Sequence, residues 1–365
     1  MRVRYQISFV LGFIFTLITI AQLGHMTLTK PQFPGLKRFW MYQSPSANFF
    51  PTAKQLEVWA IQQIPDKSKE VVVVGGSSVL MGVGQPVEMS IAEELQYVLG
   101  NDFKVLNLAL RGGATFGQGE YISNSLIKKG YKVTFVSDVF VNYVPPIEDN
   151  WPYQRTYWQA RYAGMLSPAN IPDKQIEVKV FNLDRILGFL NNRLLFQEVA
   201  NYISYNYIPL TQSPAIGDQS LQPLKNYPDI EPNTPYEKRY SNPDWEKSQL
   251  EMVRSHAANE YSDDSLRNTA RKLKLVLDRK FTPRVLLVAC KYNPRYVSQI
   301  EGVLRENYFE NVERQLKFYK QLEIEVESLC DDFSDLDYSD GTHLSVEGAK
   351  KLANKLGKWV LSEIK

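Results

Sequence analysis

Two cysteines in 365 residues exclude a disulfide-dense scaffold and a four-cysteine zinc site. Three histidines leave little room for a histidine-rich metal centre, so no metal is expected. Lys+Arg number 42 against 40 Asp+Glu, a net charge of +2, which argues against a broad nucleic-acid surface. Internal repeats and low-complexity tracts are lacking. The glycine-containing stretch from Gly75 to Gly84 has neither the Gly-Lys-Ser/Thr of a P-loop nor a G-x-G-x-x-G spacing, so no nucleotide cofactor is implied. With 44% hydrophobic and 22% charged residues, wholesale disorder is excluded too.

What is present begins at the N-terminus. Arg2 and Arg4 precede an uncharged apolar run from Ile7 to Leu23. Its length, about 17 residues, is at the lower edge of what spans a bilayer core as a helix. The competing reading is a cleaved signal peptide, but a small-x-small cleavage site is poorly met around Ala21 to Gly24. The expectation is therefore an uncleaved transmembrane anchor over residues 1–26, with the N-terminus cytoplasmic and the body extracytoplasmic, in the periplasm or at the cell surface. In such a compartment Cys290 and Cys330 could pair; they could equally be two small buried residues.

A proline- and aromatic-rich tether follows, and residues 27–70 close with a helix from Ala53 to Gln63. Val71 to Val74 is an all-β-branched run of the kind buried on both faces of a parallel sheet. Comparable runs stand at Phe103 to Leu108, Val133 to Val136, Arg284 to Ala289 and Leu322 to Val326. Helical patterns lie between them, around Ala92 to Leu99 and Ile122 to Ile127, so the expected class is α/β. The last segment, Val346 to Ile364, carries Ala349, Leu352, Ala353, Leu356 and Val360 at the three-four spacing of one buried face, with Ser345 as N-cap. Its Lys350, Lys351, Lys355 and Lys358 read as a solvated face. Residues 145–270 break the alternation and read as a large insertion between a first part, 71–144, and a second part, 271–365, of one sheet domain. The insertion's Trp151, Tyr157 and Trp158 form either a carbohydrate platform or a small satellite core, and Ile186 to Ile203 either packs on the sheet or lies on the membrane.

Chemistry is concentrated at two turns. The first strand runs into Gly76-Ser77-Ser78-Val79-Leu80-Met81-Gly82, which puts serine at the carboxyl end of a buried parallel strand. Asp340-Gly341-Thr342-His343 stands just before the last helix. Asp and His three residues apart can hold the carboxylate beside Nδ1–H, leaving Nε2 to take a proton from a serine. His25 is interfacial and His256 reads as a solvated surface residue, which leaves His343 as the candidate base.

These motifs resemble the SGNH (GDSL-type) hydrolase superfamily. Gly76 to Gly82 is similar to its G-D-S-x-x-x-G block with Ser78 as nucleophile, although Ser77 replaces the usual Asp. Asn107 to Gly112 is similar to the N-x-G/A-x-x-G block, Asn142 stands where the G-x-N-D block has its asparagine, and Asp340 and His343 match the final D-x-x-H. The resemblance implies a three-layer flavodoxin-like sandwich around a central parallel sheet. It implies a triad of Ser78, His343 and Asp340 and an oxyanion hole from the N–H groups of Ser78 and Gly112 with the Asn142 amide. Arg111 would be a substrate-binding residue or a plain surface charge. No cofactor is implied.

Anchor, variant first block and insertion together resemble a membrane-anchored branch that handles O-acetyl or D-alanyl transfer in the cell envelope. The partners so implied are an acyl-ester or glycan substrate, the membrane and a membrane acyltransferase. Two readings follow: an esterase or O-acyltransferase working through a serine acyl-enzyme, and a non-catalytic subunit that keeps the fold, which the departures at Ser77, Phe140 and Tyr143 favour.

Overall fold

The computed structural model describes residues 2–29, 53–64, 66–82, 85, 89–109, 117–139, 243–259, 261–277 and 284–364. Five parallel strands form one sheet: β1 (Glu70–Val74), β2 (Phe103–Asn107), β3 (Lys132–Val139), β4 (Arg284–Ala289) and β5 (Val326–Glu327), in the order β2-β1-β3-β4-β5. Register is continuous across the centre, with Val72 opposite Val105 on one side and Thr134 on the other. That strand order reverses direction between β1 and β3, and such switch points are where α/β sheets open a crevice beyond their carboxyl ends.

Alternation along β1 builds two cores. Val71 and Val73 join one cluster, Val72 and Val74 the other, and all four are fully buried. β4 repeats the pattern, Leu287 and Ala289 facing one way, Leu286 and Val288 the other. Burying each such aliphatic side chain contributes about 1.5–3 kcal/mol, which is why a run without polar relief is stable only between two layers. The first cluster is covered by α2 (Ala53–Gln63), α5 (Gly117–Lys128), α6 (Pro243–Ala257), α7 (Asp263–Leu277) and α9 (Val303–Gln321), where the short α8 spans Pro294–Val297. The second is covered by α3 (Ser78–Met81), α4 (Ile91–Leu99) and α10 (Val346–Ile364). The three layers are therefore those of the expected α/β sandwich.

Several expectations are met closely. The last helix begins and ends as read, and Ser345 Oγ accepts from the Gly348 N–H at 3.2 Å as its N-cap. Others need correction. Leu322 does not begin a strand: it ends α9, Glu323 turns the chain at φ 54°, and only Val326–Glu327 pairs with β4. β3 runs past Val136 to Val139, because Ser137 and Asp138 are paired with Leu287 and Val288 of β4. Lys351 and Lys355 are not a purely solvated face; they donate to the Asp332 and Leu329 carbonyls and tie α10 to the loop ahead of the Asp340 turn. Helices α6 and α7, which fall mostly within the stretch read as an insertion, supply Val253, Ala257, Leu266, Ala270 and Leu273 to the first core. The aromatic residues 151–162 and the segment 186–203 lie outside the described residues.

At the N-terminus, α1 is one helix over Arg2–Thr29, with side chains described over residues 6–19. Among the described residues no helix is long and apolar enough to cross a membrane.

Candidate active site

The nucleophile turn is built by crowding. Gly76 takes φ +88°, and a Cβ there would sit 2.0 Å from Asp138 Oδ1, so both the conformation and the space demand glycine. Ser77 then adopts an extended backbone and caps α3, its Oγ accepting from the Val79 N–H at 3.2 Å. Gly82 ends α3 in the left-handed conformation, so this helix is a single turn. Ser78 is its first residue, and an N–H at that position has no intrahelical acceptor. Asn107 at the end of β2 braces the turn from the side, its Nδ2 donating to the Met81 carbonyl at 3.1 Å and its Oδ1 accepting from Ala109.

The second turn is held from three directions. Tyr338 and Leu344 form an antiparallel bridge, and the Ser339 N–H donates to the His343 carbonyl at 2.8 Å, which closes the loop between them. Asn293, fully buried beyond β4, donates its N–H to the Gly341 carbonyl at 2.9 Å and its Nδ2 to the Asp340 carbonyl at 3.0 Å. From α6, Gln249 Oε1 accepts from the Gly341 N–H at 3.1 Å, and Met252 packs close enough that a Cβ on Gly341 would lie 2.8 Å from it. A disulfide between Cys290 and Cys330 joins the segment after β4 to the loop that leads into this turn, which settles the pairing.

The two turns meet through side chains. Ser78 Oγ donates to His343 Nε2 at 2.8 Å, and His343 Nδ1 donates to Asp340 Oδ2 at 2.5 Å. Asp340 Oδ1 also accepts the N–H groups of His343 at 2.6 Å and Thr342 at 2.7 Å. The Asp340 side chain is 7% exposed and that of His343 is 20% exposed, so the carboxylate is sealed while the imidazole reaches the surface. Burial by itself would raise the Asp340 carboxyl. The His343 charge, the ring hydrogen bond and the two backbone N–H groups outweigh it, and the carboxyl is held below its ordinary range. A carboxylate so fixed selects the Nδ1–H tautomer and leaves Nε2 basic toward Ser78.

A second carboxylate lies behind the nucleophile. Asp138, at the carboxyl end of β3, accepts the Ser77 N–H at 2.8 Å on Oδ1 and the Ser77 hydroxyl on Oδ2. Burial raises its carboxyl above the ordinary value, opposed by the Ser77 bonds and by the His343 charge. The sequence offered a signal for it, a lone acid in the apolar run Phe135 to Val139, but the expected strand stopped at Val136. His256 is also corrected: it is half-buried, its Nδ1 bonded to the Tyr292 hydroxyl, with the rings stacked at 5.6 Å. Burial lowers its pKa.

Of the six site residues expected, Ser78, His343 and Asp340 are brought together. Gly112, Asn142 and Arg111 lie outside the described residues. Among the described residues no cluster of His, Cys, Asp and Glu could hold a metal.

No protein-family model matches the chain, and no curated protein does. Among solved structures it is similar to a carbohydrate acetylesterase from Sinorhizobium meliloti, at 11% identity over 80% of this chain and 99% of that one, with a TM-score of 0.33. It is likewise similar to an aryl esterase from M. smegmatis in its inhibitor-bound form, at 11% identity over 80% and 99%, with a TM-score of 0.31. Likenesses this distant carry no chemistry to the chain.

Proposed function

We propose that the chain is a serine acyl-ester enzyme of the SGNH type, anchored to a membrane and acting outside the cytoplasm on a glycan or other envelope substrate. The observation that carries the reading is the hydrogen-bonded sequence Ser78–His343–Asp340, with serine at a switch point and aspartate sealed behind the histidine.

The chemistry is acyl transfer in two halves. Ser78 Oγ attacks the ester carbonyl carbon while His343 Nε2 takes its proton. Asp340 stabilises the imidazolium. The Ser78 N–H faces the negative charge on the carbonyl oxygen; the two further donors of the reading are Gly112 N–H and the Asn142 amide. His343 returns the proton to the departing alkoxide oxygen, leaving the acyl group on Ser78. Water then gives hydrolysis, and a sugar hydroxyl gives O-acyl transfer, by the reverse proton path.

Anchoring is supported by α1, whose residues 6–19 carry no charge and expose Ile7, Phe9, Leu11, Phe13, Ile14 and Phe15. An oxidising compartment for the body is supported by the Cys290–Cys330 disulfide. A membrane acyltransferase that delivers the acyl group fits the same reading.

The test is pre-steady-state turnover of p-nitrophenyl acetate by the full-length protein. The reading expects a nitrophenol burst approaching one per chain, absent in Ser78→Ala. Acceleration of the slow phase by a polysaccharide acceptor identifies transfer; turnover without it identifies hydrolysis. No burst and no Ser78-dependent turnover would favour the non-catalytic reading. Carbonate extraction of membranes separately tests the anchor, which should stay in the pellet.

A further inference from the structure

We propose that Asp138 is a positioning residue for the nucleophile: its buried carboxylate clamps the Ser77–Ser78 turn and thereby fixes the direction of the Ser78 hydroxyl and N–H. The proposal deepens the acyl-ester reading and rests on it.

Three features converge on the one carboxylate. Oδ1 accepts the Ser77 N–H at 2.8 Å, Oδ2 accepts the Ser77 hydroxyl, and Gly76 leaves open the space that Oδ1 occupies. The Ser77 hydroxyl is used twice, donating its hydrogen to Asp138 and accepting from the Val79 N–H. A hydroxyl bonded on both sides cannot rotate, and each bond polarises the other. The peptide joining Ser77 to Ser78 is thus gripped on its N-terminal side by β3 and on its C-terminal side by α3. It carries the N–H offered to the oxyanion.

The placement is costly unless it is used. Asp138 is 5% exposed, and among the described residues no cationic side chain is hydrogen-bonded to it, an unfavourable setting for a buried carboxylate. A neutral side chain could fill the same volume at the end of β3. What the carboxylate supplies is two strong acceptors aimed at adjacent donors of one residue, a geometry that holds a single-turn helix start more firmly than its few backbone bonds could.

The experiment compares wild type, Asp138→Asn and the exchange variant Ser77→Asp/Asp138→Ser, all full length in detergent, with Ser78→Ala as the control. Two readouts are taken: the saturating rate of fluorophosphonate labelling, and amide hydrogen exchange in peptides covering residues 76–82. Because a small misplacement of a reacting atom costs up to about 100-fold, Asp138→Asn is expected to label about 10- to 100-fold more slowly at saturation. Its half-saturating probe concentration should stay within about threefold, the signature of lost orientation rather than lost binding. Its exchange over 76–82 should quicken while exchange over β1 is unchanged. The exchange variant, which returns a carboxylate–hydroxyl pair with the partners reversed, should recover most of the labelling rate. Labelling of Asp138→Asn at the wild-type rate, or a folded exchange variant no better than Asp138→Asn, would overturn the proposal. If Asp138→Asn fails to fold, the exchange variant decides by its rate against wild type. If wild type itself is not labelled, the enzyme reading falls, and hydrogen exchange alone decides the clamp.

Discussion

Ser78 and His343 are 265 residues apart in sequence and 2.8 Å apart in space, donor to acceptor. The sheet makes this possible by ending β1 at the switch point, while α10 packs on the same face and carries the histidine turn at its start. Each turn is held by groups outside the triad, and those groups are where the account can be tested.

Asp340→Asn should leave the fold intact and lower the saturating labelling rate by about 10⁴, since an amide can present its NH₂ to the ring and favour the wrong tautomer. Circular dichroism checks the fold and labelling kinetics the rate.

Asn293→Ala should destabilise the protein by about 1–3 kcal/mol, because the Asp340 carbonyl and the Arg295 N–H lose their buried partner together. Urea titration measures the cost. Labelling should slow as well, since the turn that orients His343 loses its anchor beyond β4.

Gly76→Ala should abolish labelling. The added methyl meets Asp138 Oδ1 at 2.0 Å in a backbone conformation that costs an L-residue about 1–3 kcal/mol. Ala at Gly100, also at positive φ but with open space around it, should cost stability without touching labelling, and comparing the two separates strain from site geometry.

Cys290→Ala/Cys330→Ala should lower stability by about 4 kcal/mol on chain-entropy grounds, given a separation of 40 residues. Thermal melting of oxidised and reduced wild type should show the same direction. Wild type without reductant is the more stable form, and reductant should leave the double variant unchanged.

On acidification His256 and Asp340 should each lower stability, in two steps, while Asp138, its carboxyl raised by burial, acts the opposite way above 3.8. His256 has a pKa lowered by burial, so the unfolded chain binds the extra proton first and stability is lost as pH falls below its ordinary 6.5. Asp340 has a lowered pKa, so its contribution is present above 3.8 and lost as pH falls further. His256→Gln should flatten the first step and leave the second. Urea midpoints measured across pH 3–8 check both.

Much of the fold was legible because parallel strands buried on both faces advertise themselves. Val71 to Val74 can be little else, and the spacing of Ala349, Leu352, Leu356 and Val360 leaves one helix face to bury. The triad was legible because two of its members share a turn and the third follows a strand. Less visible was whatever depends on long-range contact. Nothing local in Leu322 to Val326 says that a helix consumes the first residue. Asp138 is marked in the sequence only as a lone acid at a strand end; what it holds emerges when Gly76 and Ser77 are seen folded against it. His256 looked solvated by the company of Arg254 and Glu260 in its stretch of sequence, whereas Tyr292 from the β4 loop covers it. Gln249 and Asn293 have no motif at all; their roles arise only when α6 and the β4 loop close on Gly341.

The most direct measurement is fluorophosphonate labelling of the full-length protein, with the modified residue located by mass spectrometry, in wild type, Ser78→Ala and His343→Ala. The account predicts one adduct, on Ser78, lost in both variants while each remains folded. A folded wild type that takes no label, or an adduct that survives the loss of His343 undiminished, would contradict it.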